Sequence, residues 1–252
     1  MPTISAAIIT YNEEKNIRRC LESLQGVADE IVVVDSGSTD STAALCSAYG
    51  VRILVHPFEG HIQQKNYALN QCTGDWILSL DADEALSPEL RASVLRVKNH
   101  LTSPAYQFNR LTNYCGHWVR YCGWYPDRKV RLVQRGKARW TGVNPHDRLE
   151  ALDGSAPLFL HGDLLHYSYY TREDHLRQIE YFSGIASREL FAMGQRISMP
   201  VILLKVAAQF IKSFILKAGF LDGYTGWTIS RLSAFATWRK YTMLLELYGQ
   251  RD

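Results

Sequence analysis

The sequence is poor in several things that would have narrowed its class. Only five of its 252 residues are cysteine. Cys20, Cys46, Cys72, Cys115 and Cys122 are scattered and odd in number, which argues against a disulfide framework and for a reducing compartment. Cys115 and Cys122 bracket His117, but the spacing is poor for zinc and ordinary packing is the better reading. Charge of one sign is not in excess. A net charge of +3 is too mild to imply nucleic acid as a partner, so any basic surface must be local. The start, "MPTISAAIITYNEE", lacks a basic leader, and its apolar run is short, so it reads as a first strand rather than a signal peptide. No uninterrupted apolar run reaches ~18 residues, so no spanning helix is expected. There is no internal repeat and no low-complexity linker.

What is present suits one domain with a sizeable core, or a domain with a helical appendage: 46% of residues are hydrophobic and 12% aromatic. "ISAAIIT", "EIVVVD", "VRILVH" and "DWILSLD" are apolar runs of strand length. Between them lie helical patterns. In "EEKNIRRCLESL", Ile17, Cys20, Leu21 and Leu24 share a face. "STDSTAALCSAYG" has Thr39 or Asp40 as N-cap and closes on Gly50. "IQQKNYALNQCTG" follows, and "SPELRASVLRVKNHL" has Ser87 as cap and Pro88 in its first turn. Alternation over residues 3–101 predicts an α/β fold with a mostly parallel, doubly wound sheet and right-handed crossovers. Ligands of such sheets bind beyond the carboxyl ends of the strands. After residue 103 the chain turns aromatic and alternating, which predicts antiparallel strands. From Thr171 it reads as helix, with Pro200 and "GFLDGYTG" as breaks.

The polar residues gather where that sheet would bind. Tyr11, Asn12 and Glu13 follow the first strand, Asp35 the second, and Asp81 and Asp83 the fourth. An Asp-x-Asp at a strand end suits Mg²⁺ or Mn²⁺, which takes hard oxygen ligands and shares them with substrate phosphates. Asp35 is placed to accept a hydrogen bond from a base or ribose, or to cap the next helix. Lys65 in "QQKN" is a cation suited to phosphate or base contacts.

"TYNEE", "VVVDSGSTD" and "LDAD", in this order and spacing, resemble the inverting family-2 glycosyltransferases of the GT-A fold. "QKNYAL", "GWYPDRKVRL" and "GDLLHYSY", with the helical tail, narrow the resemblance to the lipopolysaccharide-core glucosyltransferase branch. It implies a GT-A domain over 1–170, with a nucleotide-sugar half (1–103) and an acceptor half (104–170), and a helical, membrane-associating region over 171–252. It also implies a nucleotide-sugar donor, UDP-glucose, and a heptose acceptor of the lipopolysaccharide inner core. Tyr11, Glu13 and Asp35 would line the nucleoside pocket, with Lys65 and Asn66 nearby. Asp81 would serve the diphosphate through the metal, Asp83 would ligate it, and His166 in "LLHYSY" would be a further ligand or a hydrogen-bonded core histidine. The resemblance makes Asp147 in "NPHDRLE", where the family often reads His-Glu, the first choice for the general base, with Asp127 in "WYPDRK" as runner-up. A salt bridge to Arg148 or Arg128 is the bland alternative for Asp147.

Residues 201–221, "VILLKVAAQFIKSFILKAGFL", form a second signal. On a helical wheel Lys205, Gln209, Lys212, Ser213 and Lys217 share one arc, without acids, opposite a wide apolar face. That fits a helix lying in an anionic membrane surface, or one packed on the core. The former places the protein on the inner face of a cytoplasmic membrane. Two other functions compete. A phosphohydrolase would carry its Asp-x-Asp after the first strand, not the fourth, and a non-catalytic module would bind sugar nucleotide without transfer.

Overall fold

The computed structural model describes residues 1–143 and 146–249. The four apolar runs form β1 (Ile4–Thr10), β2 (Glu30–Asp35), β3 (Arg52–Val55) and β4 (Trp76–Asp81). They pair in parallel in the order β3-β2-β1-β4. Strands buried on both faces need apolar residues at both parities. Accordingly Ile4, Ile8, Val33, Leu78 and Leu80 join one core cluster, and Ala7, Val32, Val34 and Ile77 the other.

Helices α1 (Ile17–Leu24), α2 (Thr42–Ala48), α3 (His61–Gln71) and α4 (Pro88–Val97) alternate with these strands. α1 buries Ile17, Cys20, Leu21 and Leu24, the face its spacing predicts. Ser87 caps α4 by accepting from the Leu90 N–H, with Pro88 in the first turn. α2 starts later than expected, after Ser41. Asp40 lies one residue before that cap and accepts the Thr42 N–H at 2.9 Å, a local side-chain turn rather than a cap.

The second stretch is antiparallel, as predicted. A short strand not expected from the sequence, β5 (Glu84–Leu86), precedes it, and after residue 103 come β6 (Ala105–Tyr114), β7 (His117–Trp118), β8 (Asp127–Gln134), β9 (Ala138–Val143), β10 (His146–Ala151) and β11 (Leu158–Tyr169). β8 pairs with both β4 and β6, and β5 with β11. β9 and β10 form a separate hairpin.

The chain divides into two compact units, one of residues 1–111 with 127–167, the other of 112–126 with 168–252. The second unit holds α5 (Arg172–Ala192), α6 (Met199–Ile211) and α7 (Gly223–Gly249). Thr171 and Asp174 form a capping box at the start of α5. Asp222 accepts the Arg120 and Tyr121 N–H groups at 3.2 and 2.8 Å and pairs with His117 Nε2 at 3.1 Å. Cys122 is buried with its thiol 3.6 Å from the Gly226 carbonyl.

Two expectations for the tail need correction. Pro200 opens α6 rather than breaking a helix, because a first turn does not need its missing N–H. Residues 201–221 are not one helix. α6 passes into a π turn at Lys212–Leu216, closed by a Lys217 N–H to Lys212 carbonyl bond of 2.8 Å. Ala218 then turns left-handed (φ 51°) and a short 3-10 turn, Gly219–Asp222, follows. Met199–Leu216 is nonetheless long and apolar enough to cross a membrane by length and composition, with mean hydropathy 1.7 and 11% of it buried. The interrupting lysines hid this from a search for unbroken runs.

Candidate active site

The carboxyl ends of β1, β2 and β4 carry the polar groups. Asn12 is left-handed (φ 54°), which asparagine tolerates better than most residues. Its N–H donates to Ser38 Oγ and its Oδ1 accepts the Thr39 N–H, both at 2.8 Å. Asp35 is buried and accepts the Ser38 N–H at 3.0 Å and the Ser38 hydroxyl at 2.6 Å. The small-residue turn after β2 thus binds the loop after β1. Tyr11 stands free of that knot, 59% exposed.

The centre of the site is a buried ion network. Lys65, on α3, is 6% exposed. Its Nζ lies 2.8 Å from Asp147 Oδ2, 3.1 Å from Asp81 Oδ1 and 3.2 Å from Asp81 Oδ2. The ammonium also lies 4.3 Å from the Trp140 ring centre. Arg131, on β8, is 3% exposed, and its guanidinium carbon lies 5.0 Å from the centre of the same Trp140 ring. Its Nη2 donates to Glu84 Oε1 at 2.8 Å and reaches Asp81 Oδ2 at 3.4 Å. Glu84 is fully buried, and its Oε2 accepts the Asp81 N–H at 3.1 Å. Asp81 is half enclosed by these groups. Burial alone would raise its carboxyl, but the charges of Lys65 and Arg131 outweigh that and hold it well below the usual range.

Asp83 meets His166 on β11, with Nε2 3.1 Å from Oδ2. Burial works against the imidazolium, yet the charge and hydrogen bond of Asp83 leave the His166 pKa raised. Glu13 lies within reach of the same charges. Burial raises its carboxyl to about 7; the hydrogen bond from Asn16 opposes this, and the negative charges of Asp83, Asp40 and Asp81 add to it. The loop after β1 and the end of β4 therefore share one electrostatic environment.

The remaining site residues have different surroundings. Asp127 is clamped by Arg110, at 3.0 Å from Nε and 2.9 Å from Nη2, and by Lys129 at 3.0 Å. The Asn66 amide is occupied by backbone: its Nδ2 donates to the Trp140 carbonyl and its Oδ1 accepts the Trp140 N–H, both at 2.9 Å. Asp147 pairs with Lys65, not with Arg148, whose Nε binds Glu150 at 2.6 Å. Lys65 is buried between carboxylates, so it acts on Asp81 and Asp147 rather than as an outward-reaching cation.

Glu84, Arg131, Arg110 and Trp140 were not among the sequence candidates. A charged residue flanked by valine and leucine in "VRLV" was the available signal for Arg131.

The donor set suits a hard divalent cation. Asp83 offers carboxylate oxygens and His166 an imidazole, and Asp81 Oδ1, closed to solvent, has the Lys65 ammonium 3.1 Å away. Among the described residues no three acidic, thiol or imidazole side chains already form a cage.

Residues 5–145 match the family described as Glycosyl transferase family 2. An uncharacterized glycosyltransferase of Rickettsia typhi is 30% identical, over 98% of this chain and 88% of its own. The lipopolysaccharide core biosynthesis glycosyltransferase LpsC of Rhizobium meliloti is 28% identical, over 95% and 93%. Glucosyl-3-phosphoglycerate synthase of Mycobacterium tuberculosis, solved with Mn²⁺ and UDP, aligns over 44% of each chain at 23% identity and a TM-score of 0.37, too slight a likeness to carry argument. The chain belongs to glycosyl transferase family 2. Its sheet is the GT-A arrangement and it is a glycosyltransferase, which excludes the phosphohydrolase and the non-catalytic module.

Proposed function

We propose that this enzyme moves a hexose, with inversion, from a nucleotide sugar to a hydroxyl of a lipopolysaccharide inner-core heptose, with glucose from UDP-glucose as the donor sugar. The observation that supports it is the ion network: Lys65 ties Asp147 to Asp81, so a carboxylate of the acceptor half sits beside the carboxylates at the end of β4. The kinship with LpsC favours a lipopolysaccharide acceptor.

In this reading Tyr11, Glu13 and Asp35 face the nucleoside. Asp83 and His166 would hold Mg²⁺ or Mn²⁺, with Asp81 beside it, and the cation would supply charge neutralisation for the leaving diphosphate. The acceptor oxygen attacks the anomeric carbon from the face opposite the diphosphate. The carbon–oxygen bond to phosphate breaks, its electron pair leaves with the diphosphate, and Asp147 takes the hydroxyl proton. Lys65 positions Asp147 by its 2.8 Å contact. Asp127, held by Arg110 and Lys129, is the second choice for base. The exposed apolar side of α6, with Leu203, Leu204 and Ile211 each at least half exposed, is proposed to seat the enzyme on the cytoplasmic face of a membrane, where a lipid-linked acceptor would be found.

The test pairs transfer with donor binding. Asp147→Asn should keep UDP-glucose binding and lose transfer by about 10²–10⁴-fold, the scale of general acid–base help. Asp83→Asn, or excess chelator, should abolish transfer and weaken donor binding. Full activity in chelator would falsify the metal role. A large loss in Asp127→Asn with little in Asp147→Asn would exchange the two carboxylates.

A further inference from the structure

The second unit carries a cationic groove that the transfer reaction does not use. Lys205, Gln209 and Lys212 of α6 face Thr237, Lys240 and Tyr241 of α7 across a cavity of about 260 Å³. Lys240 Nζ lies 4.6 Å, and Lys205 Nζ 5.6 Å, from the centre of the Tyr241 ring, so two ammonium groups flank one aromatic. No carboxylate lines the cavity. α6 contains no acid, and the one acid of α7, Glu246, pairs with Arg239 at 3.9 Å. Three like charges in one concavity repel unless an anion joins them, and the Tyr241 phenol and the Gln209 amide can donate to it; the Thr237 hydroxyl is taken up by the Ser233 carbonyl at 3.2 Å. On the same helix Leu204 is 70% exposed, and beyond it Leu216 is 74% exposed.

We infer that this groove binds the phosphate of an anionic glycerophospholipid headgroup, while the neighbouring apolar side chains enter the acyl region. The inference rests on the membrane-surface part of the function proposed above, and it adds a defined lipid-headgroup site that spans two helices. A merely amphipathic α6 would not involve Lys240. Recognition follows from charge complementarity: each lysine near an anionic surface is worth about five-fold in binding.

The experiment is sedimentation of full-length protein with vesicles of phosphatidylcholine alone or with added phosphatidylglycerol. Wild type should bind the mixed vesicles more tightly. The Lys205→Gln, Lys212→Gln, Lys240→Gln triple variant should lose about 100-fold, three factors of about five. A control variant, Arg188→Gln, Arg196→Gln, Arg231→Gln, removes equal charge outside the groove and should lose much less. Lys240→Gln alone should lose about five-fold, and it carries the test if the triple variant melts below wild type. Equal losses in the groove and control variants would mean diffuse attraction and overturn the groove while leaving the membrane reading standing. Wild type that ignores both vesicles overturns both. Displacement by inorganic phosphate at matched ionic strength would show a site for free phosphate instead of lipid.

Discussion

At the scale of single residues, the site is a set of carboxylates whose charge is managed one by one. Glu13 is the clearest case. Its carboxyl is raised from an ordinary 4.5 to about 7, by burial first and by the nearby acids next. A raised acid favours the protonated form in the folded state, so its contribution is fully present below about pH 4.5 and is lost as pH rises through about 7. The loss should be about 1–3 kcal/mol, after discounting for the part of the side chain that water reaches. Glu13→Gln should flatten the decline in melting temperature between pH 5 and pH 8 in metal-free buffer; an unchanged slope would mean that Glu13 ionises normally. The sequence showed the acids themselves, because Glu13, Asp35, Asp81 and Asp83 follow apolar runs at strand ends. It could not show their counter-ions. Arg131 and Lys65 are far from Asp81 along the chain, and only the pairing of β8 with β4 and the packing of α3 bring them to it. Asn66 was readable as a polar neighbour of Lys65, but not as a bridge to the backbone of β9.

At the scale of elements, the alternation up to residue 101 was legible because parallel strands are buried on both faces and the helices between them carry a single apolar face. How the start of α4 is seated on β11 was not, since that involves a close approach between residues far apart in the chain. Gly162 on β11 has φ +102°, and a Cβ there would stand 2.2 Å from the backbone N of Leu90. Beside it the Ser87 N–H donates to the Asp163 carbonyl at 3.0 Å, and the Ser87 hydroxyl accepts the Asp163 N–H at 3.1 Å. This latch seats the start of α4 on β11, in the same strand pair that sets His166 opposite Glu84. Gly162→Ala should therefore cost about 2–3 kcal/mol, combining backbone strain with overpacking. Urea unfolding measures it, and a midpoint equal to wild type would mean that β11 can give way without loss.

At the scale of the whole molecule, substrate should be visible as stability. A ligand at about 100 times its Kd adds about 2.7 kcal/mol to the state that binds it. For a chain of this size each kcal/mol moves a melting temperature by about 2–4 °C. UDP-glucose with Mg²⁺ or Mn²⁺ should thus raise the melting temperature by about 5–10 °C, and a panel of nucleotide sugars should rank the donors. No shift with any of them would remove the nucleotide sugar from the proposal. The π turn after α6 bears on a different comparison, that of chain lengths within the family. Its five-residue bond from Lys217 to Lys212 accommodates one residue more than an α turn. A relative shorter by one residue at this point could close the same turn as ordinary helix and keep both flanking segments where they are. Length variation here would be absorbed locally, and an alignment gap between Lys212 and Leu216 would be a register mark rather than a lost element.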